Sequence, residues 1–395
     1  MADPTAPSDI PEATPTSDLP ASFLAFLRAH DLPTDLYDQC RRQYRPHRYY
    51  RTAAHLTAAQ SASLSTAVAS QLNATVTAVD GVPGFWSVEP LGNDDQDVRL
   101  SQTAGYQVGD LYGIDVTSGI AVLALEVQPD DHVLDLCCAP GAKLCMLADL
   151  MRPRGIGEDR SSSTGHDARN GGGTVTGVDV SEARLATCRS LVRKYRHDNV
   201  RLFAADGTTF DAPAPVPAWR RPGPPKDTGG VDETRRPWRK PFHAPRLLRF
   251  ENSQSATTLY DKVIVDAECT HDGSIAHIRK YDTWGWDKFE TQFLDPERLN
   301  CLAVLQRTLL LNGWRQLKPG GILVYSTCSL TRAQNEDVLL WFLARCPGAS
   351  LEAVPHCATF NPRPLTDLRL QYAVRFNPIE TRTSGFFVAR LRKPC

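Results

Sequence analysis

Two cysteines, Cys269 and Cys328, close the apolar runs DKVIVDAEC (Asp261–Cys269) and GGILVYSTCS (Gly320–Ser329). Each run has the length and composition of a buried strand, and each breaks into a short polar tip that carries a thiol. In an open α/β sheet, ligands bind beyond the carboxyl ends of the parallel strands, so two such tips can present two sulfurs to one substrate. The thiolate is the strongest nucleophile among ordinary side chains, but a free thiol of pKa ~8.5 is only a few per cent ionised near neutrality. Catalysis by either cysteine therefore needs charged neighbours, and Asp266, three residues before Cys269, is one.

A third apolar run, HVLDLCCAPGAK (His132–Lys143), ends in a glycine turn. It is neither G-x-G-x-x-G nor a Walker A loop, so no pyrophosphate cradle is expected. Acids follow at strand ends. Asp179 is placed to accept hydrogen bonds from ribose hydroxyls, Asp206 to reach an adenine ring, and Asp135 to face an amino group. A nucleoside cofactor without a pyrophosphate, such as S-adenosylmethionine, fits this set better than a nicotinamide.

Strands alternating with helices must position these groups. The strands are His132–Cys138, Thr174–Val180, Val200–Gly207, Asp261–Cys269, Gly320–Ser329 and a closing Gly385–Arg392. Helical spacing appears over Val116–Val127, Lys143–Met151, Glu182–Tyr195 with Ser181 as cap, and from Asp295 to about Leu317. A capping box at Thr331–Gln334 should open the next helix, to about Ala344. The expected fold is α/β: a Rossmann-like, doubly wound, mostly parallel sheet over 111–395, with polar insertions at 155–173 and 211–258. Residues 1–19 read as a disordered tail, and 20–110 as a smaller α+β amino-terminal domain. That domain holds Arg41, Arg42, Arg45, His47, Arg48, Tyr49, Tyr50 and Arg51, a set suited to phosphate contact and base stacking and hence to RNA docking. The second insertion interleaves Arg220, Arg221, Arg235, Arg236, Arg239 and Lys240 with Trp219 and Trp238, which suits RNA or a solvated linker.

Composition narrows the setting. Over 395 residues the net charge is −1, so any nucleic-acid site is a local patch. No apolar run is long enough to span a membrane. The 11 cysteines include no C-x-x-C pair and no zinc-finger spacing, so neither a metal site nor a disulfide framework is expected. Cys137, Cys138, Cys145, Cys188 and Cys301 read as buried reduced thiols. His271 and His277 read as polar loop residues. The first twenty residues hold four acids and no Lys or Arg, which suits the cytoplasm, nucleus or nucleolus better than a mitochondrion.

Four motifs in order, LDLCCAPGAK, DVS-x-x-R (Asp179–Arg184), DAEC (Asp266–Cys269) and STCSLTRAQNED (Ser326–Asp337), resemble the Nol/Nop/Sun family of RNA cytosine-5 methyltransferases. TSGFFVARLRK (Thr383–Lys393) is similar to that family's closing strand. Glu268 stands where the family carries proline, and Ala142 where it carries a second glycine. The resemblance implies S-adenosylmethionine as cofactor, held by Cys138, Ala139, Pro140, Gly141, Lys143, Asp179, Arg184, Asp206 and Asp266. It implies Cys328 as nucleophile, Cys269 as the thiol that assists product release, and Asp266 and Lys143 as the groups that hold the cytosine. The implied partner is rRNA or tRNA, free or in ribosomal assembly intermediates, and the implied unit is a monomer. A non-catalytic RNA-binding ribosome-assembly factor of the same shape is the alternative. A DNA cytosine methyltransferase is disfavoured by the cysteine at STC.

Overall fold

The computed structural model describes residues 19–43, 47–91, 99–152, 172–215, 240–245, 248 and 258–395. In the amino-terminal unit the strands β1 (Arg48–Thr52), β2 (Ala74–Ala78), β3 (Phe85–Pro90) and β4 (Leu111–Gly113) form an antiparallel sheet in the order β2-β3-β1-β4. Thr57 and Gln60 form a capping box on the helix Ala58–Leu72 that packs beside it. β4 lies just past residue 110, so this sheet reaches across the expected boundary.

Among the described residues the second sheet has eight strands. They are β5 (His132–Asp135), β6 (Thr174–Asp179), β7 (Val200–Ala204), β8 (Tyr260–Asp266), β9 (Leu317–Thr327), β10 (Ser350–Glu352), β11 (Val374–Phe376) and β12 (Phe386–Arg392). Their order is β10-β12-β9-β8-β5-β6-β7, with β11 also paired to β12. β5 to β9 run parallel, while β10, β11 and β12 pair antiparallel at one end. The parallel strands read as near-continuous apolar runs because helices cover both faces. Core side chains lie on either side, Val133, Val175, Ile264 and Val324 on one, Leu134, Val178, Val263 and Leu323 on the other. The chain leaves β5 toward β6 and β7, then returns through β8 on β5's other flank. That reversal opens a crevice at the carboxyl ends of the strands. β10 and β11, three residues each, were too short to show in the periodicity.

Several expectations need correcting. Tyr49, Tyr50 and Arg51 are buried, so they cannot dock RNA. Arg51 Nη1 instead donates to Asp149 Oδ2 at 2.6 Å, and Tyr49 Oη donates to the Arg382 carbonyl at 3.2 Å. His47 is half-buried and Arg48 exposed. The side chains of Arg41 and Arg42, the whole of Arg45, and the insertion residues Trp219, Arg220, Arg221, Arg235, Arg236, Trp238 and Arg239 lie outside the described residues; Lys240 is exposed. Cys301 is exposed, and Cys137 is only half-buried. Thr331 does not cap. Gln334 Nε2 bonds its hydroxyl at 2.9 Å, and the helix starts later, at Glu336.

Among the described residues, the cores of the helices Ala21–Ala29 and Leu36–Gln43 are separate from that of the amino-terminal sheet. Phe23, Phe26, Leu27, Leu36 and Tyr37 form a separate core with Ile275, Ile278, Tyr281 and Phe289 from the helical segment that follows Cys269. The amino-terminal unit thus braces the loop that carries the candidate chemistry.

Candidate active site

The two strand tips converge. Asp266 and Ser326 are register partners on β8 and β9, so both chains leave the sheet side by side. Cys269 Sγ and Cys328 Sγ end 3.3 Å apart. Cys269 is buried and Cys328 half-buried, and both line a cleft of about 820 Å³. The loop between Cys269 and Ser274 is tied down from several sides. Thr270 N donates to Gln334 Oε1 at 3.1 Å, Leu330 N to Asp272 Oδ2 at 2.7 Å, and Gly273 N to the Cys328 carbonyl at 2.9 Å. Tyr37 Oη also donates to the Asp272 carbonyl. Position 273 must be glycine for contact reasons: a Cβ there would sit 2.7 Å from the Gly385 carbonyl oxygen and 2.8 Å from that of Cys328.

Lys143 and Asp266 meet beside the sulfurs. Lys143 Nζ donates to Asp266 Oδ2 at 2.7 Å, and Ser326 Oγ donates to Asp266 Oδ1 at 2.7 Å. Burial works against the Lys143 charge, but the Asp266 carboxylate more than offsets it and raises the ammonium above its ordinary value. Asp135, fully buried behind them, has its carboxyl pushed up to about 7, first by burial and then by Asp266.

His271 is the residue that sequence reasoning missed. Its Nδ1 lies 2.9 Å from Cys328 Sγ and 4.0 Å from Cys269 Sγ. Its backbone sits at φ +55°, a left-handed conformation uncommon outside glycine and asparagine. The only sequence signal was a histidine two residues past a candidate cysteine. Burial raises the Cys269 thiol, yet the hydrogen bond from Cys328 and the positive edge of His271 bring it well below the ordinary value. That same hydrogen bond, with burial, holds the Cys328 proton well above it. Two sulfurs this close titrate as one system: a first negative charge forms readily and a second is refused.

The other end of the cleft suits a nucleoside. Asp179, Asp206, Ala139, Pro140 and Arg184 line it. Val180, 75% exposed, gives it an apolar wall that a purine ring could cover. Asp179 and Asp206 are each oriented by a following amide, Ser181 N at 2.9 Å and Thr208 N at 2.8 Å. Arg184 braces the turn, donating to the Ala139 carbonyl at 2.7 Å. Gly141, at φ +110°, begins the helix Ala142–Leu150, and a Cβ there would press on Cys188 at 3.2 Å. Cys138 is buried, its sulfur against Gly177, and Cys137 lines the cleft in its place. Glu268, at the family's proline position, pairs with Arg298 Nη2 at 2.6 Å, and that guanidinium stacks on Phe293 at 5.2 Å on the cleft's rim.

This sheet order, with a nucleoside-sized crevice at its reversal, defines a Rossmann-like methyltransferase fold. Two solved structures share it. The chain superposes on NSun6 from Pyrococcus horikoshii, solved with SFG, with a TM-score of 0.63 at 17% identity, covering 95% of this chain and 98% of that one. A methyltransferase homologue from the same organism gives 0.57 at 22% identity, covering 95% and 100%. Residues 248–392, less than half of the chain, match the family model described as 16S rRNA methyltransferase RsmB/F, and the Nol/Nop/Sun resemblance is borne out. The chain is 26% identical over 313 residues to ribosomal RNA small subunit methyltransferase F of Cronobacter sakazakii, across 78% of this chain and 50% of that protein. It is 24% identical over 306 residues to a tRNA (cytosine(49)-C(5))-methyltransferase of Pyrococcus abyssi, across 75% of each. The chain thus spans about half the length of the rRNA methyltransferases it matches. Among the described residues no helix is long and apolar enough to cross a membrane.

Proposed function

We propose that the chain is an S-adenosylmethionine-dependent RNA methyltransferase that forms 5-methylcytosine through a covalent adduct at C6. The observation that carries this reading is the pair of sulfurs 3.3 Å apart at the sheet's carboxyl edge, beside the Lys143–Asp266 pair. Cytosine C5 is too weakly nucleophilic to be methylated directly. Addition of Cys328 Sγ to C6 breaks the ring's conjugation and makes C5 enamine-like. Asp266 accepts a hydrogen bond from the exocyclic amine, and Lys143 offsets the negative charge that builds up on the ring. When bound, S-adenosylmethionine supplies the sulfonium methyl group that C5 takes up. Asp179, Asp206 and the Val180 wall would hold its nucleoside. Cys269 then takes the C5 proton, the C6–S bond breaks, and Cys328 is released.

The target base must leave its stack to enter the cleft, which favours single-stranded or loop RNA. The relatives' names point to rRNA or tRNA; our reading is that a monomer meets this RNA free or in a ribosomal assembly intermediate. Eleven free thiols suit a reducing compartment, cytoplasm or nucleus. The test is methyl transfer to total RNA by wild type and by Cys328→Ser, with cofactor binding followed by calorimetry. Loss of transfer with binding intact supports the reading. Transfer that persists removes Cys328 as nucleophile, and a wild type that binds cofactor and RNA but never methylates is the assembly-factor alternative.

A further inference from the structure

We propose that His271 is a catalytic base of this site, taking the proton of the Cys328 thiol and then serving Cys269 as its counter-charge. The inference rests on the proposed role of Cys328. Three observations carry it. His271 Nδ1 is 2.9 Å from Cys328 Sγ, the reacting atom. Its ring is held edge-on to Phe293 at 5.1 Å and tilted against His277 at 5.3 Å, so its direction is fixed by packing. Its backbone keeps the left-handed conformation that aims the ring at the sulfurs, a conformation held only when the surroundings impose it.

The protons balance as follows. The Cys328 S–H bond breaks, an N–H bond forms at His271 Nδ1, and the electron pair stays on sulfur. The hydrogen bond between the two sulfurs, 3.3 Å apart, which at rest favours charge on Cys269, then reverses and holds the Cys328 thiolate together with the new N–H. As the S–C6 bond forms, the C5–C6 π pair moves onto the ring and Cys328 loses its charge. The imidazolium now faces Cys269, 4.0 Å from Nδ1, which releases its proton to solvent and becomes able to take the C5 proton. When the C6–S bond breaks, Cys328 leaves as a thiolate beside the same imidazolium. One proton, equivalent to that of C5, is released per turnover.

The charges facing this ring come from every side. Cys269 and Asp272 lie in its own loop, Asp266 ends β8, and Cys328 follows β9. His277 projects from Ile275–Ile278, and Arg298 stands behind Phe293. Lys143 faces Cys328 from the glycine-turn helix. Burial works against the imidazolium, but Cys269, then Asp266 and Asp272, favour it, and His277 does not oppose it, since burial and its neighbours push its own pKa down to about 4.

The test is iodoacetamide labelling of the full chain, without RNA or cofactor and with EDTA, following the Cys328 peptide by mass spectrometry from pH 5 to 10. His271→Asn removes the base, and asparagine tolerates the left-handed backbone. Removing the base should raise the Cys328 labelling midpoint by at least about one unit relative to wild type. At pH 6.5 the variant should label at least about tenfold more slowly, since each unit of midpoint is a factor of ten. His271→Gln should behave as His271→Asn does. A wild-type Cys328 that stays unlabelled up to pH 10 overturns the proposal, whether or not the variants fold. So does a folded variant with the wild-type profile. Neither result touches the Cys328→Ser test, so the failure of His271 and the failure of the methyltransferase reading remain distinguishable.

Discussion

Cys269 and Cys328, 59 residues apart in sequence, have their sulfurs at 3.3 Å because Asp266 and Ser326 are paired on adjacent parallel strands. The register sets the approach, and the tied loop beyond β8 keeps it. Two thiols held this way should be readily oxidised to each other. Diamide, a thiol oxidant, should form a Cys269–Cys328 disulfide, abolish methyl transfer, and lose its effect on adding dithiothreitol. Peptide mapping checks this, and a map showing these cysteines linked elsewhere or not at all would contradict the geometry.

Gly273→Ala should separate the sulfurs without touching them. The new Cβ would press on the carbonyls of Gly385 and Cys328, which are backbone and must shift. We expect a stability loss of about 1–3 kcal/mol by denaturant unfolding, cofactor binding near wild type, and a large fall in the single-turnover rate. A rate unchanged at full occupancy would show that the loop tolerates the shift.

Arg51→Met tests whether this arginine is structural. It should cost about 3–5 kcal/mol, because it strands the buried Asp149 carboxylate. Exposed Lys288→Ala should change stability by less than about 0.5 kcal/mol. Urea midpoints decide this, and equal effects would refute the buried pair's role.

Asp135 should make stability fall as pH rises. Its folded pKa, about 7, is raised above an unfolded value near 4, so the protonated acid favours the fold. That contribution is complete below about pH 4 and is lost as pH rises through 7, at up to about 1.4 kcal/mol per unit. Asp135→Asn should therefore be more stable than wild type at pH 8, with the advantage shrinking toward pH 4. Thermal unfolding across this range checks the sign, and an advantage that grows on acidification would contradict it.

Much of this site was legible before any coordinates. The apolar runs gave the parallel strands, and their polar tips gave Cys269, Cys328 and Asp266, because a strand buried on both faces leaves a continuous signature. Asp295 and Ser181 were readable as caps, and both accept the expected amide. What failed to show depended on contacts between distant segments. Arg51 and Tyr50 looked like a docking surface because a charged and aromatic run reads the same whether Asp149 waits for it or solvent does. The bracing of the Cys269 loop by Phe23 and Tyr37 joins residues more than 230 positions apart, as in the Tyr37–Asp272 bond. His271 had no pattern to betray it, since its meaning comes entirely from the tip of the neighbouring strand.

The most direct measurement is a search for the covalent intermediate. Cys269→Ala, incubated with S-adenosylmethionine and total RNA, should accumulate a protein–RNA adduct that survives denaturing electrophoresis and maps to Cys328. The adduct should vanish in Cys269→Ala/Cys328→Ser. Multiple turnovers by Cys269→Ala with no adduct, or an adduct that persists without the Cys328 sulfur, would contradict the assignment of the two thiols.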